Sequence, residues 1–211
     1  IDQIFPLFGE AGLEANTLKG YAATEEQFKN LSRSKDRMNS PRVIHLSTHG
    51  YFYPNLFQNT TTALPVRLPH NIKSANNPQT LSGLILAGGN YAWQKGEPFR
   101  PWMEDGILTA YEIVPMDLSS TELVVLSACE SGLGDIDGNE GVYGLQRAFK
   151  IAGVRYIIMS LWQVPDAATV ELMTRFYTHL LKHHQSVRKS LLQAQKVRPI
   201  DCYCCKPFIR N

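Results

Sequence analysis

Three short blocks dense in apolar and β-branched residues interrupt a mixed chain: Val43-Ile-His-Leu-Ser-Thr48, Leu123-Val-Val-Leu-Ser-Ala128 and Tyr156-Ile-Ile-Met-Ser160. Runs of this length, apolar on both alternating faces, predict strands buried within a sheet. Leu84-Ile-Leu-Ala87, closed by Gly88-Gly89, predicts another. Elsewhere the apolar positions recur every three or four residues. Val142, Leu145, Ala148 and Phe149 predict a helix to Ile151 with Gly153 at its C-terminal cap. Val170, Met173, Phe176, Tyr177 and Leu180 predict a long helix from Ala167 to about Leu181, capped by Asp166. Val187, Ser190, Leu191 and Ala194 predict another over roughly Ser186 to Lys196. Shorter helices are expected after Thr24, with Phe28 and Leu31 on one side, and over Gly106 to Ile113, with Ile107, Ala110 and Tyr111 together.

The stretch from Ser32 to Pro41 is polar and turn-rich, and that from about 51 to 80 has no period of either kind. The second reads as an irregular surface insertion, a length of loop usually tied to function or disorder. Strands alternating with helices, the strands fully apolar, argue for an α/β fold with a mostly parallel sheet and helices on both faces.

Composition narrows the function classes. A chain of 211 residues with 44% hydrophobic content can bury a core, and its length fits a single domain over 1–211. Twenty-one Lys and Arg against nineteen Asp and Glu leave a net charge of +2, with no basic stretch interleaved with aromatics, so nucleic acid is not an expected partner. No run of eighteen apolar residues occurs, so no membrane span is expected, and the N-terminus carries no secretory pattern. The sequence opens on Ile1 and reads from the start like the middle of a domain, which suggests a piece of a longer chain. Cys129 stands apart from Cys202, Cys204 and Cys205, an arrangement unlike a disulfide framework and suited to the reducing cytoplasm.

Cys129 and His49 are the candidates for chemistry. Each follows an apolar strand block, and open α/β sheets place their ligand sites at the C-terminal strand edge. A thiol attacks a carbonyl as its thiolate, and a neighbouring imidazole supplies the base. Gly50 would leave a backbone N–H free to meet an oxyanion. The alternative stays open for both: a small buried cysteine ending a core strand, and a histidine that merely satisfies its surroundings. His45 fits a core or supporting histidine. Cys202, Cys204 and Cys205 lack the paired spacing of a zinc site, so no metal and no cofactor is expected. No G-x-G-x-x-G or Walker pattern is present, and no carboxylate pair stands above the background.

Several segments in order change these odds: Gly20 to Glu25, Val43 to Gly50, Leu81 to Leu86, Asp105 to Ile113, Leu123 to Gly134, Glu140 to Phe149, Ser160 to Asp166, and Phe176-Tyr177. Together, over about residues 20 to 197, the chain resembles the CHAT domain, a caspase-like, separase-related cysteine peptidase family often fused to tetratricopeptide repeats. The resemblance implies a caspase-like three-layer sandwich. It implies His49 and Cys129 as a catalytic dyad, and the backbone N–H groups of Gly50 and Cys129 as the oxyanion site. It makes the segment holding Ser160, Trp162 and Asp166 a substrate-binding one, although Asp166 also fits a plain helix cap. The implied activity is that of a cysteine endopeptidase acting on a protein or peptide, regulated by tetratricopeptide-repeat or other domains in cis or trans. A catalytically silent interaction module is the main alternative, and a thiol hydrolase of small esters or amides a weaker one. The chain departs from the family in the short stretch before Gly20 and in the cysteines where the family ends on aromatics.

Overall fold

The computed structural model describes residues 1–32, 40–52, 78–127, 140–160 and 166–196. In chain order the helices are α1 (Phe5–Glu10), α2 (Glu25–Lys29), α3 (Gly89–Lys95), α4 (Ala110–Ile113), α5 (Glu140–Ile151), α6 (Asp166–Tyr177) and α7 (Val187–Lys196). The strands are β1 (Val43–Leu46), β2 (His49–Phe52), β3 (Ser82–Ile85), β4 (Ile107–Thr109), β5 (Leu123–Leu126) and β6 (Tyr156–Met159). They fall into two compact units, Leu18–Leu161 and the combination of Ile1–Thr17 with Trp162–Asn211. No helix among the described residues is long and apolar enough to cross a membrane.

In the larger unit the three apolar blocks form one parallel sheet in the order β1-β5-β6. All four residues of the central strand β5 are buried, as a strand apolar on both faces requires. Ile44, Val124 and Leu126 point to one face, where they join Phe28 of α2 and Leu145, Ala148 and Phe149 of α5. Phe28 and Phe149 meet edge to face with centroids 6.4 Å apart. Leu123 and Val125 point to the opposite face and are equally buried. After α5 the chain turns at Gly153, whose φ of +103° is the left-handed backbone expected of a helix C-terminal glycine.

The other three strands form an antiparallel sheet, β2-β3-β4, which the apolar pattern does not predict. Leu84 and Leu108 point into the same core as the parallel sheet. Tyr51 and Ile107 point the other way, against Leu81, Ala92 and Trp93, so α3 covers that face. Tyr51 lies edge-on to Trp93 at 5.1 Å. The strand expected at 84–87 sits at 82–85. The helix expected over 106–113 is a strand that becomes a helix at Ala110. Thr109 and Glu112 make a reciprocal capping box there, which fixes the change of period. Of the insertion expected at about 51–80, Tyr51 and Phe52 belong to β2 and 78–80 form a 3₁₀ turn, while 53–77 lie outside the described residues.

In the smaller unit α6 ends at Tyr177, and Thr178–Lys182 continue as a π-helical turn rather than as the predicted α-helix. Tyr177 is fully buried between Phe8 and Phe176, at centroid distances of 5.3 and 5.0 Å. Ser186 caps α7 by accepting the Lys189 N–H at 3.4 Å, as its position in the sequence suggests.

Gly83 in β3 is where the backbone of the antiparallel sheet is least able to yield. A Cβ there would lie 2.6 Å from the Leu108 carbonyl oxygen and 2.7 Å from the Tyr51 ring. Gly83→Ala is therefore expected to destabilise the larger unit by about 1–3 kcal/mol, as overpacking does in other cores. Urea unfolding of the variant against the parent checks this, and an unchanged midpoint would contradict the packing described.

Candidate active site

Parallel pairing brings two strand ends side by side. Leu46, the last residue of β1, stands opposite Leu126, the last of β5. One further rung follows, with the Ser127 N–H donating to the Leu46 carbonyl at 2.8 Å. His49 lies three positions beyond Leu46, and Cys129 three beyond Leu126. Ala128 to Asn139 lie outside the described residues, and Cys129 is among them.

His49 does not sit in a loop beyond β1; it opens β2, opposite Ile85 of β3. Its side chain is exposed. Thr48, just before it, fixes the entry by donating its hydroxyl to the Ile85 carbonyl. The direction of the Gly50 amide follows from alternation along β3. The Leu86 N–H donates to Gly106 in the β4 direction at 2.7 Å. Even-numbered residues of β3 therefore turn their amides towards β4, and odd-numbered ones towards β2. Ile85 thus pairs with the backbone of His49, and the Gly50 N–H points away from β3, to the outer edge of the sheet. Among the described residues β2 is an edge strand.

His45 lies on β1 on the face opposite Ile44. Its Nε2 is 3.0 Å from the Ser127 hydroxyl, across the strand pair. Burial pushes its pKa down to about 4, so the ring is neutral at pH 7. Of the residues expected on the substrate side, Ser160 follows β6 directly, and Asp166 is the first residue of α6, exposed, where an acid suits the positive end of the helix. Trp162 lies outside the described residues, as do Cys202, Cys204 and Cys205.

A charge cluster that sequence reading did not single out lies elsewhere in the larger unit. Lys29 Nζ is 2.7 Å from Glu25, 2.9 Å from Glu112 and 3.1 Å from Glu104. The three carboxylates have the spacing of a metal site, but the ammonium already supplies the central positive charge. Glu25, almost fully buried, also accepts the Gly106 N–H at 2.9 Å. Glu112 accepts from the Thr109 N–H at 2.9 Å and from its hydroxyl at 2.6 Å. Burial raises the Glu25 pKa even against the hydrogen bond from Lys29. Burial also works against the Lys29 ammonium, but its bonds to Glu25 and Glu112 prevail and raise its pKa. Two signals for the cluster were present in the sequence: the four-residue spacing of Glu25 and Lys29, and the Thr-x-x-Glu pattern at Thr109.

A family model described as the CHAT domain matches residues 1–200. Tetratricopeptide repeat protein 28 of Mus musculus is 35% identical over 97 residues, which are 46% of this chain and 4% of that protein. The protein of the same name from Homo sapiens is 35% identical over 81 residues, 38% of this chain and 3% of that one. The chain thus spans a small part of the length of the curated relatives it matches. No solved structure matches.

Two outcomes follow from these charges. Lys29→Met leaves three carboxylates facing one another and is expected to cost about 3 kcal/mol or more; the double variant with Glu25→Gln should lose less, because removing both members of a buried pair is milder than removing one. Urea unfolding of the two variants decides this. For His45 the unfolded chain binds a proton near pH 6.5 while the folded chain does not until about pH 4. Stability is therefore whole above 6.5 and falls as the pH drops towards 4. His45→Leu should flatten that part of the stability profile, measured by thermal unfolding across the window.

Proposed function

The chain belongs to the CHAT domain family, and from that premise we propose that it is a cysteine endopeptidase working through His49 and Cys129. The observation that carries the reading is the β1–β5 register. Leu46 and Leu126 end adjacent parallel strands, and in the sequence the candidate base and nucleophile each follow three positions later. Neighbouring strands lie about 4.8 Å apart, and this closeness of the ends of β1 and β5 supports pairing His49 with Cys129. The exposure of His49 and the outward Gly50 amide support the same reading.

In this mechanism the Cys129 sulfur gives its proton to His49 and attacks the scissile carbonyl carbon. The oxyanion rests on the N–H groups of Gly50 and Cys129. His49 then returns the proton to the departing amine as the C–N bond breaks. Water, activated by the same imidazole, cleaves the thioester, releasing the acid and restoring the thiol. Selection of the side chain before the cut falls to Ser160, Trp162 and Asp166, with the family resemblance as support. The family match over residues 1–200 supports taking the chain as one CHAT domain of the caspase-like three-layer class. The names of the relatives support tetratricopeptide repeats as the regulating partners, in cis or trans. The cysteine pattern supports a cytoplasmic setting.

The test is labelling with a peptidyl electrophile, read by mass, alongside turnover of a peptide panel. A single adduct at Cys129 is expected, lost in Cys129→Ser, with His49→Ala slowing turnover by about 10²–10⁴. Equal labelling in His49→Ala, or adducts spread over Cys202, Cys204 and Cys205, would instead favour the catalytically silent interaction module.

A further inference from the structure

We propose that His45 is a positioning residue for the Cys129 nucleophile, acting through Ser127; this rests on the reading of His49 and Cys129 as a dyad. The bond between His45 Nε2 and the Ser127 hydroxyl, 3.0 Å, joins β1 to the residue that follows β5, and in the sequence the two members of that dyad come shortly after these strands. It is made four residues before His49 on β1 and two before Cys129 beyond β5. The last backbone rung of the pair, from Ser127 to Leu46, holds only the main chain. The imidazole adds a side-chain tie on the other face of the strands from Ile44 and Leu126, so the exit of β5 is fixed from its backbone and from one face.

The ring suits this work because it does not titrate in the range where a thiol–imidazole pair operates. Burial keeps it neutral, with one N–H and one lone pair, and a hydroxyl partner can answer either. A charged histidine here would place a second cation near the base, and a leucine would leave the Ser127 hydroxyl without this partner. A shift of the strand exit by a fraction of an ångström changes the approach of sulfur to carbonyl, and such misplacement is felt in kcat.

The experiment uses the full chain with His45→Leu, Ser127→Ala, their double variant, His45→Gln and His49→Ala. Peptide turnover is measured together with the pH dependence of Cys129 alkylation by iodoacetamide. Misplacement predicts that His45→Leu and Ser127→Ala each lower kcat about ten- to a hundredfold with KM nearly unchanged. The double variant should be no worse than either single one, since both remove the same tie. His45→Gln, whose amide can reach the hydroxyl, should recover most of the turnover. In the two impaired single variants the alkylation profile of Cys129 should move towards that of an ordinary thiol, near pH 8.5.

Unchanged kcat in folded His45→Leu and Ser127→Ala, or losses that add in the double variant, would overturn the positioning role. So would a loss that only follows the folded fraction seen by circular dichroism. These results differ from failure of the dyad itself. In that case Cys129 of the parent would already alkylate like a free thiol, and His49→Ala would change nothing.

Discussion

Val43 and Leu123 are far apart in sequence yet stand opposite each other in a parallel pair, and the architecture of the larger unit follows from that pairing. A parallel pair needs a long crossover, and here the crossover contains the antiparallel sheet, α3 and α4. Once β1 lies on β5, Ile44, Val124 and Leu126 share one face and close the core with Phe28 and Phe149. The rungs are reinforced at both ends: Glu122 accepts from Arg42 at 2.8 Å at the entry, and Ser127 bonds to Leu46 and His45 at the exit. The entry pair is exposed and worth little by itself. The buried strand faces and the exit bonds fix the register.

That register also sets where the chain changes sheets. β1 leaves the parallel sheet and, after Ser47 and Thr48, its chain starts the antiparallel one at His49. His49 is therefore anchored by its own backbone pairing with Ile85. Gly83, pressed between Leu108 and Tyr51, leaves the space over β3 that the Tyr51 ring occupies, edge-on to Trp93.

The sequence made some of this legible and hid the rest for identifiable reasons. β1, β5 and β6 were readable because a strand covered on both faces has no polar positions to blur the pattern. β2, β3 and β4 were harder: His49-Gly-Tyr-Phe52 and Ser82-Gly-Leu-Ile85 mix small, polar and apolar residues, and their pairing depends on Gly83 being able to accept a close backbone. Ile107, Ala110 and Tyr111 have helical spacing, yet only the Thr109 cap marks where the helix begins. α3 was missed because Gly88-Gly89 reads as a turn, while in the structure it is the turn that starts the helix. For the candidate site, the sequence places His49 and Gly50 beyond a strand, whereas they open the next one, β2, because Thr48 and the pairing with Ile85 start a second sheet there. The partner of His45 could not, because a cross-strand hydroxyl leaves no local spacing in the sequence.

The four-residue charge set has a bearing on how the chain is made. Glu25 and Lys29 belong to a short helix early in the larger unit, whereas Glu104, Gly106 and Glu112 come about eighty residues later. A helix of five residues is too short to persist in water, and its buried acid is tolerable only once the ammonium is shared and the Gly106 amide has arrived. On an emerging chain α2 must therefore wait in solvent until the 104–112 segment has been synthesised. Contacts of such long range slow folding, so α2 docks as a late closing step although it precedes its partners by about eighty residues.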